Sequence, residues 1–226
     1  MNTRYLDFHL VAGTQDPVSI TGIRGPGEIP AAAAIRSRVV AAFNAGFKTV
    51  SGHYGVMVNR VVYLPALNGI ATFAMYQNHS VRLGAWGSGI TMTPGLVSLR
   101  QNLPLLISNH QINPQIGNMQ YWGFTVNNAV HVWRSALGIT ANGNLIYVGG
   151  PNLTAQTLAA ALQTAHVVNA MELDINSYWV TYNLYQWKSG RLLGTKLMPA
   201  MTRPGDRYLT PDTRDFFYVT LAQHPR

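Results

Sequence analysis

The 226-residue chain contains no cysteine, which excludes disulfides, thiolate metal sites and a cysteine nucleophile together. Carboxylates are also scarce: eight Asp and Glu stand against sixteen Lys and Arg, and none lies between Glu28 and Glu172. Only 11% of the residues are charged, well under the roughly 25% of a typical soluble domain, so Asn, Gln, Ser and Thr must carry much of the surface solvation. No stretch approaches the roughly eighteen uninterrupted apolar residues of a membrane helix, and "MNTRYLDFHLVAG" lacks the basic-then-apolar pattern of an export signal. A soluble chain with no membrane span is expected. A P-loop, a dinucleotide glycine fingerprint, a Gly-x-Ser-x-Gly elbow and a His-Glu-x-x-His helix are missing too. Nucleotide-dependent enzymes and standard serine or zinc hydrolases therefore drop down the order.

What is present suits a folded protein: 47% apolar residues are ample for a core. The net charge of +8 favours anionic ligands in general. The basic residues are scattered (Arg36, Arg38, Arg60, Arg82, Arg100, Arg134), without the run that marks a nucleic-acid tail, and no nucleic-acid partner is expected.

Short β-branched runs dominate the pattern. "RVVAAFNAGF", "YGVMVNRVVYLP", "IATFAMYQ" and "SVRLGAW" read as strands parted by turns at Asn59, Asn68-Gly69 and Asn78. In "HVWRSALGITANGNLIYVGG" two apolar runs flank Asn142-Gly143, which predicts a hairpin with a type I′ turn. "NLTAQTLAAALQTAHV" follows, with Thr154 as N-cap and Leu158, Ala161, Leu162 and Ala165 at helical spacing. "YWVTYNLYQW" and Phe217 to Leu221 should supply later strands. The fold class expected is α+β: a single domain over residues 1–226, with a large mixed or antiparallel sheet, one long covering helix and a few short ones.

"NAMELDINS" ends the long carboxylate-free stretch. Strand alternation puts Met171, Leu173 and Ile175 on one side and Ala170, Glu172 and Asp174 on the other, so both carboxylates share a face. Burying them unpaired is costly. Either they line a cleft as catalytic groups, or they pair with arginines, with Asp174 also capping a turn. Arg134, inside the apolar "VWRSALG", either neutralises one of them or offers its planar fork to a phosphate. Asn44 and Gly46, at the end of a strand, could meet a ligand or simply form a turn. His53 is an acid–base candidate without metal-ligand spacing, and Trp86, Trp122, Trp133 and Trp179 could stack on sugar faces or be core.

The ordered set "AAFNAGF", "WRSALGITANGNLIYVGG" and "TAQTLAAALQTAHVVNAMELDIN" resembles the phosphodiester glycosidase family, that of the mannose 6-phosphate uncovering enzyme. The likeness runs from about Val39 to Asn176, and "HLVAGTQDP" and "RYLTPDTRDFF" look similar to the flanks of actinobacterial members. It covers Asn44, Gly46, Arg134, Gly138, Gly143 and Leu173-Asp174. The chain departs from the pattern where Ile175-Asn176 replaces the usual glycine triplet and Glu172 stands where many members carry an Asn or another residue, which leaves open a substrate, or an activity, different from the uncovering enzyme's.

The resemblance implies a hydrolase that cleaves a glycosyl phosphodiester of a cell-envelope or extracellular glycan, in an extracytoplasmic or secreted setting. By the resemblance Asp174 would be a catalytic carboxylate, with Arg134, Asn44 and Gly46 binding substrate or phosphate; the reading of the residues themselves adds Glu172 as the second catalytic carboxylate and His53 and Asn176 as further substrate-binding candidates. No cofactor is expected, and a divalent metal is left open. A non-catalytic domain that binds glycans or anionic polymers is the alternative.

Overall fold

A computed structural model describes residues 1–223, which form fifteen strands and two α-helices. The strands are β1 (Leu6–Val11), β2 (Val39–Asn44), β3 (Val56–Val58), β4 (Val61–Leu64), β5 (Ala71–Tyr76), β6 (Val81–Ala85), β7 (Leu96–Gln101), β8 (Leu105–Ser108), β9 (Gln111–Ile112), β10 (Val132–Thr140), β11 (Leu145–Leu153), β12 (Val167–Glu172), β13 (Tyr182–Lys188), β14 (Arg191–Lys196) and β15 (Phe216–Leu221). The helices are α1 (Ala33–Arg36) and α2 (Ala155–Thr164). Neither is long and apolar enough to cross a membrane.

The expected class holds, but the sheet is divided. Three five-stranded sheets run β1-β15-β2-β13-β14, β11-β10-β12-β8-β9 and β4-β3-β7-β5-β6, and their strand pairs are antiparallel. Each contributes to one buried cluster: Phe43 and Phe217 from the first, Leu137 and Met171 from the second, Val56 and Phe73 from the third. Phe73 and Phe217 meet edge-on there with centroids 5.3 Å apart, and Phe43 stacks on Tyr182.

Helix α2 covers the second sheet with Leu158 and Leu162 buried against Ala136 and Ala170. Its start is set by a reciprocal cap: the Thr154 hydroxyl accepts from the Thr157 N–H, and the Thr157 hydroxyl accepts from the Thr154 N–H. The β10–β11 hairpin also forms, but its turn is not type I′. Only Gly143 takes positive φ, at 77°, and its N–H bonds Thr140 O, so the loop is a type I turn closed by a glycine in the left-handed region.

Candidate active site

β12 brings the acidic segment to the site. Ala136 faces Glu172 and Leu137 faces Met171, and the ladder runs on past the strand end: Leu173 donates to Ser135 O, and Ser135 donates to Asp174 O. Alternation then breaks. The Asp174 Oδ1 accepts the Asn176 N–H at 3.0 Å, an Asx-turn that bends the chain. Met171 and Leu173 stay in the central core, whereas Ile175 packs with Phe47 and Trp122 beside α2, so the expected Met171–Leu173–Ile175 face is corrected at its last member.

Beyond this bend opens a cavity of about 690 Å³. Asp174 reaches it despite being only 4% exposed. The Asp174 Oδ2 lies 2.9 Å from Arg214 Nη2, which also donates to Gly46 O at 2.8 Å. Arg214 sits 4.8 Å above the Trp179 ring, with its Nε 3.8 Å from Asp16. Burial raises the Asp174 carboxyl above the usual aspartate range, with Arg214 and the Asn176 N–H pulling against it. A carboxylate raised in this way is a stronger base than an exposed one. The remaining walls are largely apolar and aromatic, among them Phe47, Tyr54, Tyr121, Phe124 and Trp179, which suits the face of a sugar ring.

Of the residues expected at the site, Asp174 and Asn176 line the cavity. The others gather behind it or beside it. Glu172 and Arg134 form an ion pair at 2.6 Å, both side chains sealed from solvent. Arg134 Nη1 also donates to Trp122 O at 3.0 Å. Burial pushes the Glu172 carboxyl up to about 7 while Arg134 pulls it back. Since Tyr121 and Gly123 on either side of Trp122 line the cavity, the pair anchors a covering segment, Met119–Trp122, and faces no open space itself.

The Asn44 amide is engaged within the protein. It donates to Ser135 Oγ and Ala45 O, and it accepts from the Thr181 N–H and the Tyr147 hydroxyl. Gly46 supplies only its carbonyl, and a Cβ there would come within 2.9 Å of Asn102. His53 is exposed, at φ 52°, close in sequence to the lining residues Ser51 and Tyr54 but not among the lining residues itself. Trp122 is buried, and Trp133 lines a neighbouring cavity of about 270 Å³ that shares Phe124, Ile175 and Asn176 with the first. Among the described residues no group of three or more His, Asp or Glu could hold a metal ion.

This arrangement lies at the end of a stretch with a known pattern. The model of the phosphodiester glycosidase family matches residues 37–174, ending on the carboxylate that lines the cavity. The chain belongs to this family. Its fold is similar to that of the zebrafish N-acetylglucosamine-1-phosphodiester alpha-N-acetylglucosaminidase catalytic domain, auto-inhibited by its pro-peptide, at 14% identity and TM-score 0.54, covering 99% of this chain and 74% of that one. A hypothetical protein from Synechocystis is similar at 14% identity and TM-score 0.52, covering 98% and 58%. No curated protein matches.

Arg214 falls outside the family segment, and reading the sequence did not single it out. The available signal was composition: Asp212, Arg214 and Asp215 form a charged cluster in a chain otherwise poor in charge. Asp215 is itself buried and pairs with Arg100 at 2.6 Å. Asp212 accepts from Arg207, which holds its carboxyl below the ordinary range although burial pushes the other way.

Proposed function

We propose that this phosphodiester glycosidase hydrolyses the bond between an anomeric carbon and a phosphodiester oxygen, on a glycan of the cell envelope or the extracellular space. The observation that carries the reading is Asp174 at the cavity wall, held at both oxygens by Arg214 and the Asn176 N–H. Asp174 serves as nucleophile or general base, and Glu172 supports the covering segment through Arg134.

The chemistry asks for little more. When the anomeric C–O bond breaks, its electron pair leaves on a phosphate oxygen, a better leaving group than a sugar alkoxide. Water supplies the new bond to carbon. In a single displacement its proton passes to Asp174; in a double displacement Asp174 first bonds the carbon as a glycosyl ester, and water then displaces the Asp174 carboxylate, losing its proton to the released phosphate or to solvent. Aromatic walls hold the ring, and the cationic side of the cavity receives the phosphate.

The test compares the parent with Asp174→Asn on a panel of sugar 1-phosphodiesters. Turnover by the parent and a loss of at least about 10²-fold in the variant are expected, in line with removal of a general base. If the parent binds sugar phosphates but turns over none of the diesters, the glycan-binding alternative replaces this reading.

A further inference from the structure

The charged side chains of the cavity are Lys48, Asp174 and Arg214. Asp174 and Arg214 neutralise each other at 2.9 Å, and Asp16 adds a second carboxylate beside the guanidinium. Arg134, the other arginine near the site, is matched by Glu172. Among the described residues Lys48 pairs with no carboxylate, so it is the cavity's uncompensated cation.

The backbone on both sides of Lys48 is fixed by buried charge. Phe47 donates its N–H to Asn102 Oδ1 at 3.0 Å, and its carbonyl accepts from Arg100 Nη2 at 2.5 Å, with Arg100 held in turn by Asp215. Thr49 donates its N–H and its hydroxyl to Asp16 Oδ1, at 3.0 and 2.8 Å. Phe47 and Thr49 are buried while Lys48 between them is exposed. Two buried carboxylates, Asp16 and Asp215, thus hold in place a residue whose own side chain is free to reach a ligand.

We propose that Lys48 is the phosphate-binding cation of this cavity, its ammonium meeting the phosphoryl oxygens of the scissile diester and of the departing monoester. The inference rests on the phosphodiester reading above. A diester carries one negative charge and the released monoester between about 1.5 and 2, so the charge to be stabilised grows as the bond breaks. An ion pair that is already neutral cannot answer that growth, whereas an unpaired ammonium can.

The experiment uses the full chain, Lys48→Met and Lys48→Arg, with two readouts: kcat/KM on a sugar 1-phosphodiester, and binding of glycerol 3-phosphate and inorganic phosphate by calorimetry. Lys48→Met should lower kcat/KM and weaken glycerol 3-phosphate by about 10-fold or more, the value of one charge-assisted contact. Lys48→Arg should restore most of both, and the gap between parent and Lys48→Met should narrow as salt is raised, because the ammonium is exposed. The chain is expected to fold in all cases, since Lys48 is at the surface. Equal kcat/KM and equal phosphate affinity in parent and Lys48→Met would overturn the role of Lys48 and leave the hydrolase reading standing. Phosphate binding that depends on Lys48, in a parent that hydrolyses no diester, would keep Lys48 and overturn the hydrolase reading. A parent that neither binds phosphate nor turns over overturns both.

Discussion

Arg134 and Glu172 meet at 2.6 Å with both side chains cut off from solvent, and the same guanidinium nitrogen holds the carbonyl of Trp122. The pair is therefore a bracket between the second sheet and the segment that covers the cavity. Where Glu172 is ionised, the two charges cancel inside the protein. That leaves Asp174, Arg214 and Lys48 as the charged residues that line the cavity.

Removing one member of such a pair should be expensive. At a pH well above the Glu172 titration, Arg134→Met strands a buried carboxylate and frees the Trp122 carbonyl, so a loss of about 3–5 kcal/mol is expected there. Replacing both members, as Arg134→Met with Glu172→Leu, removes the stranded charge and should recover much of that loss. Urea unfolding of the two variants checks this. Full stability in Arg134→Met alone would show that the pair does not bear on the fold.

The pH dependence of the same pair has a defined sign. Burial pushes the Glu172 carboxyl up from the ordinary glutamate value of 4.5 to about 7, with Arg134 pulling against it. Between those values the folded chain keeps a proton that the unfolded chain has released. Stability from this group is thus greatest below the lower value and falls as pH rises through the window, then levels off. Glu172→Gln cannot titrate. The stability of the parent minus that of Glu172→Gln should decline from about pH 4.5 to about pH 7 and be flat above it, as read from urea midpoints at a series of pH values. A flat difference throughout would mean that Glu172 is ionised across the range.

Local signals carried far in this sequence, and contacts between distant segments did not. The helix after Thr154 and the strands around Asn142-Gly143 are encoded within a few residues of themselves, and they form as read. The turn type differs because a single left-handed glycine closes the loop, and Asn-Gly alone does not distinguish one from two such residues. The division into three sheets depends on which strands pair across long separations, such as β1 with β15, and no local pattern reports that. The same limit applies to the site. Asp174 stood out because carboxylates are rare, but its partner is one of many scattered arginines, 40 positions away. Lys48 carries no motif at all and is distinguished only by what pins its neighbours.

Gly123, the residue that ends the covering segment, tests its placement without touching a charge. Its φ of 90° is a conformation that side chains rarely adopt, and a Cβ there would fall 2.6 Å from the Phe47 ring and 2.9 Å from Ile175. Gly123→Ala should cost about 1–3 kcal/mol from backbone strain and overpacking. Because Phe47 and Ile175 line the cavity, KM for a sugar phosphodiester should rise with it. Thermal unfolding and steady-state kinetics on one preparation decide the matter, and unchanged values of both would place the segment elsewhere in solution.

Arg214→Lys addresses the central contact. Arg214 donates to Asp174 Oδ2 and Gly46 O from one nitrogen while its plane lies over Trp179, an arrangement a point charge on a flexible stem cannot reproduce. With the guanidinium gone, the largest influence holding down the Asp174 carboxyl weakens, and burial raises it further. If Asp174 acts in its ionised form, kcat/KM of the parent rises with pH through the titration of Asp174. In Arg214→Lys that acidic limb should move to higher pH, and the plateau should fall by about 10²-fold or more as the carboxylate loses its orientation. A merely structural arginine would instead lower the unfolding temperature and leave the limb where it was. A pH–rate profile of the folded variant separates the two, and an unmoved limb would remove Asp174 as the group whose ionisation controls the reaction.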